Sequence, residues 1–285
     1  MLNLPDKTLL SRLDVETLKL IESKIEVLLF KQPIGEPFHP VYRKDKKAFN
    51  KLITGEVRLR RAIKKYFKDL SERLNQLVYI GLIMAADKKR PNYFNTAGWE
   101  DEDQALAMII LPELEGFYEN GANSAHVTIN IGVDSSDAPA QKFLRDYSLK
   151  LAKDINSTTQ DNIQQQIQTS IKLGETRQQL ESRLTDVIDN SYRSQMIAQT
   201  ESIRAFTQGR LAVGQQMGVQ MKRWQTYGAV DDLCVGAQNQ GAIPIDQEFD
   251  NGTDGPPAHP NCRCAIKLVM GNTDGNTDNS DDQGQ

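Results

Sequence analysis

The chain has 285 residues, 39% hydrophobic and 25% charged, with a formal net charge of −4. That length supports one large domain or two ordinary ones, and the acidic balance excludes a protein that binds nucleic acid over its whole surface, because phosphate affinity needs concentrated Lys and Arg. No apolar run reaches the roughly 18–20 residues that span a bilayer, and Met1–Asp6 lacks the basic start of an export signal, so synthesis in a cytoplasm with no membrane partner is expected. The 3 cysteines, all near the C-terminal end, do not make a secreted disulfide framework.

Asp6 to Gln32 places Leu9, Leu10, Leu13, Leu18, Ile21, Ile25, Leu28 and Leu29 at helical spacings, which predicts one or two amphipathic helices stopped by Pro33. After the proline-rich loop to Pro40, a second helical stretch runs from about Arg43 to Ala86. Phe49, Leu52, Ile53, Val57, Ile63, Tyr66, Phe67 and Leu70 give it one apolar face. Another face is dense in cations, among them Arg58, Arg60, Arg61, Lys64, Lys65 and Lys68. This row is a candidate contact to DNA or an acidic partner, and a plain solvated face is the alternative. Asp87 to Gly98 reads as a polar loop, and Gln104 to Tyr118 as a helix that Pro112 must end or kink. His126 to Val133 alternates apolar and polar residues rich in Val, Ile and Thr, which predicts a strand.

The Ser, Asp and Pro cluster at Asp134–Pro139 suggests a boundary. Residues 1–135 then form an N-terminal helical region with the basic helix and a strand, and 136–270 a second domain with its core at 193–266. Gln141 to Gly218 is helical almost throughout, with a break at Gly174 and a fresh N-cap at Thr176. From Lys222 the pattern breaks into short strands and turns, and 271–285 has no apolar anchor and reads as a disordered tail. The expected class is α+β, mainly α-helical: an elongated helical region followed by a small, β-rich, Cys/His-containing lobe.

One stretch carries an ordered motif. Arg193 is followed by Ile197-Ala198-Gln199-Thr200-Glu201, Arg204-Ala205 and Gly209-Arg210, then by Lys222-Arg223-Trp224 and Asp232-Leu233-Cys234. Phe249, Pro256-Pro257 and His259-Pro260-Asn261-Cys262-Arg263-Cys264 close it. This series resembles the C-terminal module of the phage Mu protein F-like family, the minor head or head-morphogenesis proteins of tailed bacteriophages.

Read physically, Arg204 lies at i+3 from Glu201 and can pair with it on one helix face. Thr200 and Glu201, with Arg193 and Arg204 within two turns, are expected to form a polar brace in which Thr200 and Glu201 hold this helix against the cysteine lobe, and Trp224 and Phe249 to anchor that lobe. Cys234, His259, Cys262 and Cys264 supply the ligand types of a closed structural zinc site. Cys262 and Cys264 project to one side of an extended segment. Relatives often carry a Cys or His three residues after the first cysteine, and Ala237 stands there, so structural zinc, free buried thiols and a disulfide all stay open.

The resemblance implies a structural role in the virion, in the head interior or at the portal vertex, assembled in the host cytoplasm. Its implied partners are the portal protein, capsid or scaffolding protein, and packaged double-stranded DNA. An enzyme or toxin-related effector, ADP-ribosyltransferase- or hydrolase-like, is the competing reading. The chain shows neither an Arg…Ser-Thr-Ser…Glu-x-Glu series nor a His-Glu-x-x-His helix, so no catalytic residue is assigned.

Overall fold

The computed structural model describes residues 41, 45–85, 97–129, 138–227 and 231–270. The expected helices of 6–32, most of the 87–98 loop and the 271–285 tail lie outside the described residues. Helix α1 spans Lys46–Ala85 and begins where the Asp45 carboxylate accepts from the Ala48 amide at 2.9 Å. Leu52, Leu59, Ile63, Phe67 and Leu70 recur at its helical period and are buried, with the cations on the opposite side.

Helix α2 spans Ala97–Ile129 and runs through Pro112. Pro112 cannot donate to the Met108 carbonyl, but Met108 is 75% exposed, so water can serve that oxygen and the helix continues. The strand expected at His126–Val133 is corrected as well: 126–129 form the last turn of α2, and 130–133 lie outside the described residues. Just upstream, Ala122 and Ala125 are buried against Leu211, Val213 and Ile266, and that packing outweighs the β-propensity of Val127, Thr128 and Ile129.

Helix α3 is Ala138–Leu173, α4 is Arg177–Ile188 and α5 is Ser191–Gln216. Gly174 turns the chain at φ 64°, and Thr176 with Gln179 forms a reciprocal capping box at the start of α4. Asn190 caps α5, whose end is followed by Gly218 at φ 70°. One apolar core draws on all five helices. Helices α2 and α5 cross backbone to backbone. A Cβ on Gly121 would meet the Phe206 carbonyl oxygen at 2.0 Å, and one on Gly209 would meet that of Tyr118 at 2.0 Å, so each helix needs a glycine at the crossing.

The C-terminal lobe is a three-stranded antiparallel sheet, β1 Met221–Gln225, β2 Ala242–Pro244 and β3 Ala265–Val269, in the order β2-β1-β3. Lys222 pairs with Ile243 on one side and Leu268 on the other. A short helix, α6 at Asp232–Asn239, interrupts the expected run of strands and turns. Asp231 caps it and Cys234 and Ala237 are its buried face. The fold is α+β and mainly helical, with this lobe packed on α5 through β3.

Candidate metal centre and its clamp

Helix α6 delivers Cys234, and the extended segment leading into β3 delivers Cys262 and Cys264 from one side of its backbone. All three thiols are buried, and their sulfurs lie within 4.8 Å of one another. The Cys234 and Cys262 sulfurs are 3.7 Å apart. Trp224, Ala237, Ile243 and Phe249 complete the small apolar core around them, with the Trp224 and Phe249 rings edge to face at 5.2 Å. His259 is not in the sulfur group. Its Nδ1 lies 2.9 Å from the Pro260 carbonyl oxygen, so the four-residue set expected from the sequence reduces to three cysteines.

The three thiols do not share charge evenly. Donation from the Cys264 thiol and from the backbone amides of Cys264 and Ala258 holds Cys262 down at about 5, against its burial. The Cys264 thiol, donating to Cys262 and buried, is pushed far up. Burial and the neighbouring Cys262 charge push Cys234 up to about 12.

The segment carrying Cys262 and Cys264 is gripped from both flanks by the helical bundle. Asn261 sits at φ 63°, a region asparagine tolerates better than most residues. Its amide donates to Thr200 Oγ1 at 3.2 Å, and its carbonyl accepts from Gln199 Nε2 at 2.7 Å, so α5 holds both polar groups of that residue's backbone. Its side chain donates to the Tyr192 hydroxyl at 3.2 Å. Between the cysteines, Arg263 points the other way and meets Glu56 of α1 through two hydrogen bonds of 2.5 and 2.8 Å. Their side chains are 9% and 3% exposed, which makes this a buried bidentate pair.

The remaining expected residues separate. Thr200 reaches the lobe, but Glu201 turns to α3, where Tyr147 donates its hydroxyl to it, and Arg204 of its own helix lies at 3.3 Å. Burial raises the Glu201 pKa. Arg193 binds α3 through Thr159 Oγ1 at 2.9 Å and the Ile155 carbonyl at 2.8 Å, with its guanidinium over the Phe67 ring. On α1, Arg58 is paired with Glu113 of α2, and Arg60 is half-buried. Arg61, Lys64, Lys65 and Lys68 face solvent. Sequence reasoning missed Glu56, Gln199 and Tyr147. Glu56 carried one signal, as an acid lying among the residues of an apolar helix face.

Residues 161–267 match the family described as Phage Mu protein F like protein. The chain carries a phage Mu protein F-like domain. The Mu F-like domain begins within α3 and covers α4, α5, the sheet and the thiol trio. No curated protein and no solved structure matches the chain. Glu56, which holds Arg263 of the Mu F-like domain, lies upstream of the matched residues.

Proposed function

We propose that this protein acts structurally at the portal vertex of the phage head, in contact with portal protein, with capsid or scaffolding protein and with packaged double-stranded DNA. The observation that carries the DNA contact is the solvent face of α1. Lys46, Lys47, Lys51, Arg58, Arg61, Lys64, Lys65 and Lys68 are all exposed on it. The acid in that span, Glu56, is buried and paired with Arg263. At about 1.5 Å per residue the row is about 33 Å long, roughly one turn of duplex DNA. An acidic protein that concentrates its cations on one helix presents them to a polyanion while the rest of its surface repels it.

Two measurements test this. Recombinant chain should co-purify with the portal protein and be present in purified virions; absence from both refutes the placement. Charge reversal of Arg61, Lys64, Lys65 and Lys68 should weaken retention on duplex DNA and flatten its salt dependence by roughly one unit of slope for each phosphate that is no longer neutralised. An unchanged slope rules out DNA as the ligand of this face and leaves α1 with a protein partner.

A further inference from the structure

The geometry points to a zinc site made of three cysteine sulfurs, Cys234, Cys262 and Cys264, with no histidine, that fastens the C-terminal lobe shut. Zinc binds thiolate at about 2.3 Å in tetrahedral sites, which sets neighbouring sulfurs about 3.8 Å apart. Cys234 and Cys262 already stand at 3.7 Å, and all three sulfurs fall within 4.8 Å of each other. The fit therefore asks the sulfurs to draw together by about an ångström.

A further feature, rigidity, favours an ion over three idle thiols. The Cys262–Cys264 segment is fixed by Gln199 and Thr200 on one flank and Glu56 on the other, so two of the ligands are held in place before an ion arrives. Zinc takes four donors, so the remaining position falls to an exogenous one such as water.

The ion would join α6 to the segment leading into β3, two elements separated along the chain by β2 and by the loop through Phe249 and the Pro256-Pro257 pair. The inference does not depend on placement at a portal, and its test needs no assembly. Purified, reduced full-length chain should hold about one zinc ion per chain by elemental analysis, and cobalt in its place should show the sulfur-to-cobalt charge-transfer band. The Cys234→Ser, Cys262→Ser and Cys264→Ser variants should each lose most of the metal, while His259→Ala keeps it.

Because a cysteine variant can fail to fold, the unaltered chain gives a second reading. With zinc bound, its three cysteines should resist alkylation, and a chelator should expose them together. Loss of zinc in His259→Ala overturns the three-sulfur assignment. A metal-free chain whose alkylation ignores added zinc overturns the site, as does a Cys234–Cys262 disulfide in the freshly isolated protein.

Discussion

The ion pair between Glu56 and Arg263 gives the most direct handle on how the helical bundle holds the cysteine segment. Both side chains are nearly solvent-free, and they share two hydrogen bonds of 2.5 and 2.8 Å. Arg263→Met leaves the Glu56 carboxylate buried without its counter-charge, which costs about 3–5 kcal/mol. In a cooperatively unfolding body of this size, each kcal/mol moves the melting temperature by about 2–4 °C, so a drop of about 10 °C is expected. Glu56→Met should cost a similar amount. The double variant replaces both charges with apolar groups of similar volume, and should recover most of the loss. Thermal and urea unfolding of the four proteins supply the cycle. A cost below about 1 kcal/mol for Arg263→Met, or a double variant that simply sums the two single losses, refutes the coupling.

Other consequences follow from the same structure. Gly209→Ala puts a methyl group into the Tyr118 carbonyl and should destabilise by about 3 kcal/mol or more, whereas Gly116→Ala, which meets nothing within 4 Å, should stabilise by about 0.5–1 kcal/mol; urea midpoints separate the two. Lys222 is fully buried, its ammonium lies over the Phe249 ring with no hydrogen-bond partner among the described residues, and burial lowers its pKa against the pull of Asp254, Asp246 and Glu248. Lys222→Met should therefore raise stability by about 1–2 kcal/mol at neutral pH, and a lower melting temperature would show that the charge is needed. Burial raises the Glu201 pKa, so the folded chain keeps that proton to higher pH than the unfolded one. Its contribution to stability is then largest below the unfolded pKa of about 4.3 and is lost as pH climbs through the folded value. Glu201→Gln should remove that decline, and identical pH–stability curves for the two proteins would contradict it.

Much of the helical body was legible because periodicity reports burial. The apolar rows of α1, α4 and α5, the break at Gly174 and the cap at Thr176 all depend on neighbours a few residues apart. The failures were of another kind. Val127, Thr128 and Ile129 prefer strands in isolation, but they close a helix whose preceding turn packs on α5 and β3. Pro112 signalled an end or a kink, and of these the end did not occur because solvent on that side let the helix continue. Within the site, the sequence placed the cysteines together because Cys262 and Cys264 alternate along one strand-like segment. It also enlisted His259, which the structure sets apart from the sulfurs, since a residue three positions upstream of Cys262 need not share its direction after the rigid Pro260. The Glu56–Arg263 contact spans 207 residues and leaves no local trace.

That span has a bearing on synthesis. Glu56 leaves the ribosome 207 residues before the arginine that neutralises it. Until then this long helix carries, on the face it must bury, a carboxylate that is better left in water. A nascent chain halted short of the final strand keeps this helix from settling and exposes apolar surface that chaperones and proteases recognise. The arginine made late in synthesis thus completes the docking of a helix made early.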